Sequence, residues 1–399
     1  MDDDSARGER LTRRKYLGYG GAVVGAGLLA GCSGAGDTGG TAPETATDRA
    51  TNGGGTPSET ATTAPTDATY SVTMEPVGTV EFDGPPESWF AYTGDYADMG
   101  VALGQAEGLS AIGVRERFGT HYYDDLSGVT VEADELTQLW QDGTGKEVFY
   151  ELDADLHVVD PNFMVNRLGW DREDVAEVES AVAPFFGNTI FTRSYDWHDY
   201  RYYSLYDGFE KLAAVFDERA RYEAFKSHHD QVVSSVRSRL PSTTPEIALL
   251  YPAEMPPESF YPYLVGDGTQ SKQWRDLGVS DALAEHGVTD AQAGGGTIDY
   301  ETLLDIDPDA IAVRIQGEVS EAYFAENVVA HMEDHEVASA LTAVQNGRVF
   351  YGGLTYQGPI VHLFQLERAA RGLYPDVFGD EELFDRQRIA DIVTGRFDR

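Results

Sequence analysis

The chain is short of cysteine, of lysine and of long apolar runs. Its 399 residues include one cysteine, Cys32, so no disulfide can close within the chain. Only five lysines are present (Lys15, Lys146, Lys211, Lys226 and Lys272), and the bases total 29 against 68 acids. The resulting charge of -39 repels phosphate backbones and excludes nucleic acid as a partner. No uncharged stretch is apolar for the roughly 20 residues that a membrane-spanning helix needs. Gly-x-Ser-x-Gly, His-Glu-x-x-His and P-loop patterns are also absent. What the chain does have is 41% hydrophobic and 11% aromatic residues, enough to bury a core. The acidic surplus with few lysines looks like a halophile's surface, soluble where salt screens repulsion.

The lone cysteine sits at the end of a distinctive leader. Residues 1–31 have a charged front and then an uncharged, glycine-rich run from Tyr16 to Gly31, the layout of an export signal. Thr12-Arg13-Arg14-Lys15-Tyr16-Leu17 resembles a twin-arginine signal. Leu29-Ala30-Gly31-Cys32 resembles a lipobox, which makes Cys32 the lipidated first residue of the mature chain. Gly25-Ala26-Gly27-Leu28-Leu29-Ala30 imitates a dinucleotide-binding fingerprint, but no strand precedes it. Residues 32–69 are nearly all Gly, Thr, Ala, Ser, Pro and acids; they read as a flexible tether spanning roughly 30–35 Å.

The folded body starts near Tyr70. Strand-like runs "GTVEF", "SWFAY", "LSAIGV", "DLHVVD" and "TIFTR" alternate with helical stretches "DYADMGVALGQAEG" and "REDVAEVESAVAPFF". Such alternation predicts an α/β lobe with a mostly parallel sheet over 70–216. From Glu218 to Arg239 the periodicity predicts one uninterrupted helix of about 33 Å, with Asp217 as its N-cap and Pro241 as its stop. The segment 217–240 is thus a stiff joint. Alternation restarts in "EIALLYP", "VSDALAEHGV", "YETLLDIDPDAIAVRI", "SALTAVQNGRVFYGG" and "PIVHLFQLERAARGLYP", giving a second α/β lobe over 241–399 that closes on a terminal helix, Leu383 to Val393. The predicted fold is therefore two lobes, each a central, mostly parallel sheet flanked by helices, joined by one long helix.

At this level the sequence resembles the ABC-transporter substrate-binding proteins for iron–siderophore and cobalamin uptake. "DMGVALG" followed by "LSAIGV", then "DADLHVVD", carries the likeness in the first lobe. "GVTDAQAGGGTIDYETLLDIDPDAIAVR" and "LTAVQNGRVFYGG" carry it in the second, in order and in spacing, and the whole covers about residues 77–375. The resemblance implies a lipid-anchored receptor at the outer face of the cytoplasmic membrane, which captures a ferric siderophore or similar chelate and passes it to an ABC permease and its ATPase. It implies no catalysis and no cofactor. By motif position, the acids that dock on the permease fall on Asp98 and Glu301. Cobalamin, haem or an oxyanion would be bound by the same mechanism; an exported hydrolase and an adhesive surface lipoprotein are the competing functions.

Ligands of α/β lobes bind beyond the carboxyl ends of strands. The candidates there are Tyr92, Arg115, Tyr122, Arg193, Tyr195 and Trp197 in the first lobe, and Tyr251, Arg314 and Tyr356 in the second, with Tyr261 and Tyr263 beside Tyr251. Aromatic walls with a few arginines suit a large, partly apolar, anionic chelate, because guanidinium groups recognise oxygen anions with a planar fork. No metal site is expected. His331 and His335 share a helix face but lack a third ligand, and His228 and His229 are adjacent and cannot converge. "DIDPDA" has Ala310 where a calcium loop requires glycine.

Overall fold

The computed structural model describes residues 69–140, 144–317 and 319–397. The leader, Cys32 and the tether lie outside the described residues. No helix among the described residues is long and apolar enough to cross a membrane.

The body opens with an antiparallel hairpin, β1 (Tyr70–Met74) and β2 (Gly78–Phe82), whose inward residues Val72, Met74, Val80 and Phe82 are buried. A parallel sheet follows, built from β3 (Trp89–Ala91), β4 (Leu109–Ile112), β5 (Thr137–Gln138) and β6 (Leu156–Val158) in the order β5-β4-β3-β6. β3 and β6 are buried on both faces, as the unbroken apolar runs predict for a sheet covered by helices on each side. The chain runs from β3 to β4 on one side and later to β6 on the other. The carboxyl ends of β3 and β6 thus form a switch-point crevice.

The second sheet holds β7 (Glu246–Pro252), β8 (Ser259–Pro262), β9 (Ser280–Asp281), β10 (Ile298–Asp299), β11 (Ala310–Val313) and β12 (Val349–Tyr351). Its order is β10-β8-β7-β11-β12, with β9 also on β7. β7, β11 and β12 are parallel; β8 and β10 are antiparallel additions at one edge. Here the switch point lies between β7 and β11.

The long joint helix spans Arg219–Arg239 and buries Tyr222, Phe225, His229, Val232, Val233 and Val236. Its 21 residues make it about 31 Å long. Asp217 is not its N-cap. That residue takes φ +53 and closes the preceding helix Leu205–Val215, while Glu218 caps the long helix without a side-chain bond.

A second helix ties the lobes together. Pro359–Leu373 packs on the first-lobe helix Gly94–Ala102 and on the second-lobe helix Lys272–Asp276. Sandwiched in this way, it buries nearly its whole surface rather than the uneven stripe its sequence suggests. "TIFTR" is likewise not a strand of the first sheet. The carbonyls of Ile190 and Phe191 accept the backbone N–H groups of Thr269 (2.9 Å) and Gln270 (3.2 Å), so this extended segment bonds across to the second lobe. Gly268 permits the crossing, since a Cβ there would fall 2.0 Å from the Phe191 carbonyl. In "VSDALAEHGV" the two-residue strand β9 comes first and the helix is confined to Ala282–Glu285, which Asp281 caps by accepting the N–H groups of Leu283 and Ala284.

Candidate ligand site

Tyr92 follows β3 directly, and its N–H donates to the Val158 carbonyl of β6 at 3.1 Å, which places it at the first switch point. Its ring lies 5.5 Å from that of Phe163, on the helix Pro161–Arg167. Asp160 caps this helix through Asn162 N–H (2.9 Å). The same carboxylate accepts the Thr189 N–H and hydroxyl (2.9 Å each) and the Tyr200 hydroxyl (2.6 Å). One buried acid therefore fixes both ends of the loop that carries Tyr195 and Trp197.

On that loop Tyr195 and Trp197 stack at 4.9 Å and 17°, and Phe163 meets both rings edge-on. Phe191 links them to the second lobe through a T-shaped contact with Tyr356 at 5.0 Å. Burial pushes the hydroxyls of Tyr92, Tyr195 and Tyr356 upward from their ordinary pKa, so all three remain neutral hydrogen-bonding groups.

Positive charge enters from two arginines. Arg117 lies 6.0 Å from the Tyr356 ring, and its Nη2 is 3.4 Å from Gln316 Oε1. The hydroxyl of Tyr251 meets the same oxygen at 3.4 Å. Arg167 lies 5.1 Å from the Tyr195 ring. Tyr92, Tyr195, Tyr251 and Tyr356 are thus brought together around Arg117, with Trp197 stacked on Tyr195; the sequence reading missed Arg117 in favour of Arg115. Beside them, Arg115, Phe118, His121, Gln316 and Leu354 line a cavity of about 400 Å³ where the lobes meet.

Four sequence candidates go elsewhere. Arg115 borders the cavity, but its Nη2 donates to the Leu136 carbonyl at 2.8 Å and its Nη1 pairs with Asp134 at 3.6 Å. Tyr122 stacks on Phe364 at 4.9 Å and accepts a bond from Arg368 at 3.0 Å, inside the core. Arg193 is at the surface, paired with Asp267 at 3.1 Å. Arg314 is 1% exposed and stands behind Tyr263, 5.7 Å from its ring.

Asp98 is the clearest correction. It was expected on the surface, yet it is fully buried. Its carboxylate accepts the N–H groups of Ile360 (2.8 Å) and Val361 (3.1 Å) at the start of the helix Pro359–Leu373, and the Tyr123 hydroxyl at 2.8 Å. Burial pushes its pKa up to about 7 against these bonds. An acid so enclosed cannot meet a partner protein. Glu301, in the first turn of the helix Tyr300–Ile306, is exposed.

One cluster has the composition of a metal centre. His229, His362 and Asp276 bring ligand atoms within 4.8 Å of one another. However, Lys272 and Arg237 each lie 2.8 Å from the Asp276 carboxylate. His229 Nε2 is 2.9 Å from His362 Nδ1. The carboxylate is already neutralised, so the arrangement is a buried ionic network tying the long helix to the helices Lys272–Asp276 and Pro359–Leu373. His331 and His335 both approach Glu258, at 3.0 and 3.5 Å. The His335 Nδ1 is occupied by two backbone N–H groups.

The family model for periplasmic binding proteins matches residues 90–354, which includes both sheets and most of the aromatic cluster. The chain belongs to that family. No curated protein matches it. Among solved structures, it is similar to a periplasmic binding protein from Veillonella parvula, with 14% identity over 77% of this chain and 97% of that one, at a TM-score of 0.56. An iron-uptake ABC transporter substrate-binding protein from Streptococcus pneumoniae aligns at 14% identity over 77% of this chain and all of the other, with a TM-score of 0.54. A petrobactin-binding protein from Bacillus subtilis aligns at 14% over 77% and 99%, with a TM-score of 0.53. At such identities the likeness is one of fold: the two-lobed architecture of ABC-transporter substrate receptors. Solute-binding proteins of this family are not enzymes.

Proposed function

We propose that this periplasmic binding protein captures a ferric siderophore or similar iron chelate between its lobes and delivers it to an ABC permease. The observation that carries the reading is the placement of Arg117. It stands where the carboxyl ends of both sheets meet, within a shell of Tyr92, Tyr195, Tyr251 and Tyr356. Aromatic rings supply desolvated contact area, and a guanidinium group in that setting selects for anionic oxygen. Cobalamin, haem and oxyanions are the alternatives for the same cleft. Cys32 carries the lipid that holds the receptor at the outer face of the membrane, and the exposed Glu301 docks on the permease.

Trp197 provides the readout, since a ligand in the cleft alters its stacking on Tyr195. The full chain titrated with ferric hydroxamate, catecholate and citrate chelates, and with haem and cobalamin, should show saturable quenching with at least one ferric chelate. Arg117→Ala should weaken that binding by about 10- to 100-fold, the loss expected for a charged hydrogen bond. Quenching by cobalamin or haem alone would replace the iron reading, and no quenching by any of them would overturn it.

A further inference from the structure

Gln316 lies just beyond the carboxyl end of β11, on the second-lobe side of the cleft. Its loop is held locally, because the carbonyl of the neighbouring Gly317 accepts the Tyr351 hydroxyl at 3.0 Å. A Cβ at Gly317 would lie 3.8 Å from the Glu116 Cβ, so this loop rests against the first-lobe turn Arg115–Arg117. Across that boundary the Gln316 side chain meets Arg117. Arginine carries donors only, so the amide must turn its oxygen, and not its NH2 group, toward the guanidinium. The Tyr251 hydroxyl converges on the same oxygen. Both distances are 3.4 Å, at the long end of hydrogen bonding. Among the described residues no carboxylate forms an ion pair with Arg117; the acceptors it meets are the Gln316 amide oxygen and the Tyr356 hydroxyl. Gln316 also borders the cavity of about 400 Å³ beside the cleft, which leaves the amide room to turn away without repacking a core.

We infer, on the basis of the cleft proposed above, that Gln316 is an internal competitor for the ligand: its amide oxygen occupies the place on Arg117 that an anionic oxygen of the bound chelate takes. A carboxylate or catecholate oxygen bonds a guanidinium group roughly twice as strongly as a neutral amide oxygen does. Such an oxygen therefore displaces the amide, which turns into the neighbouring cavity. A neutral acceptor exchanges one neutral bond for another and gains little. Until an anionic oxygen arrives, the amide keeps Arg117 bonded across the lobe boundary. Because the competitor belongs to the protein, it lowers the affinity for every ligand of Arg117 by the same factor.

The order of affinities across three side chains is the test. The probes are the ferric complexes of a hexadentate tris-catecholate and a hexadentate tris-hydroxamate, read by Trp197 quenching in the full chain. Gln316→Ala should tighten binding of each by about 3- to 10-fold, the worth of one hydrogen bond. Gln316→Glu, which places a full counter-charge on Arg117, should weaken binding of each by more than about tenfold. In an Arg117→Ala background, Gln316→Ala should change nothing. Weaker binding by Gln316→Ala would make the amide a ligand contact and overturn the competitor, as would unchanged binding. Melting of the ligand-free protein gives a reading that needs no chelate. The Tm losses of Arg117→Ala and Gln316→Ala should be less than additive in the double variant, because each removes the same bond. Strict additivity would overturn the competitor. The two conclusions fail separately: a parent that binds neither probe defeats the cleft, while the melting cycle still decides whether amide and guanidinium hold each other.

Discussion

Asp98 shows how far burial can move the role of one acid. Its carboxylate closes the exposed N–H groups at the start of the helix Pro359–Leu373, where both the hydrogen bonds and the helix dipole favour it. Asp98→Ala should destabilise the fold by about 3 kcal/mol, because two backbone donors and a tyrosine hydroxyl lose their acceptor inside the core. Asp98→Asn retains an acceptor and should cost less. The pH dependence separates the two charge states. The pKa of Asp98 is raised to about 7, and that of Asp95 to about 6, both mainly by burial. Folded protein therefore binds more protons than unfolded protein between about pH 4 and pH 7, and these two acids make stability fall as pH rises through that window. Burial works the opposite way on His362, lowering it to about 4, and on His229. Both are lost as sources of stability as pH falls from about 6.5 toward 4, because the unfolded chain takes up their protons first. Asp98→Asn removes one of the falling contributions. Its unfolding free energy, measured by denaturant between pH 4 and pH 7, should rise more steeply with pH than that of the parent; parallel profiles would remove Asp98 from the account.

The helices and strands differ in how openly the sequence announces them. "WFA", "AIAV" and "EIALLYP" are unbroken apolar runs, and each becomes a strand buried on both faces or nearly so. The long helix is legible because nothing between Arg219 and Arg239 interrupts it. "TIFTR" has the same apolar pattern as a strand, yet its partner is the turn at Thr269, a choice made by tertiary contact rather than by local pattern. Arg115 and Arg117 are two residues apart in "RER", and only the direction of a short turn decides which one points at Tyr356. His229 and His362 lie 133 positions apart, so no spacing rule could join them. Asp98 was misread because its helix is buried on every side, which an acid in an amphipathic pattern does not suggest. The same enclosure makes a prediction about the element as a whole. Gly358 precedes the helix Pro359–Leu373, and a Cβ there would fall 2.5 Å from the Asp95 carbonyl and 2.6 Å from the Asp98 carboxylate. Gly358→Ala should force the two helices apart and destabilise the protein by about 2 kcal/mol. Gly84→Ala, where the added carbon meets nothing within 4 Å, is the control and should melt with the parent.

At the scale of the whole molecule, capture and delivery depend on different surfaces and can be broken separately. Under the proposed function, the cleft residues around Arg117 decide whether a ligand is held. Glu301 is exposed on the second lobe, remote in sequence from every cleft residue of the first. An exposed ion pair contributes little to the free receptor, so reversing this charge should leave fold and affinity unchanged. Glu301→Arg should therefore retain the chelate quenching of Trp197 while uptake by cells falls several-fold; loss of quenching would assign Glu301 to the cleft instead. The proposed anchoring through Cys32 is a third, independent requirement. With Cys32 replaced by serine no thioether to lipid can form, and the receptor should pass from the membrane fraction to the medium with its binding intact. If Cys32→Ser protein stays with the membrane and transports normally, the leader acts without lipid and the anchor is wrong. If it is released and transport collapses, proximity to the permease is what the proposed anchor supplies.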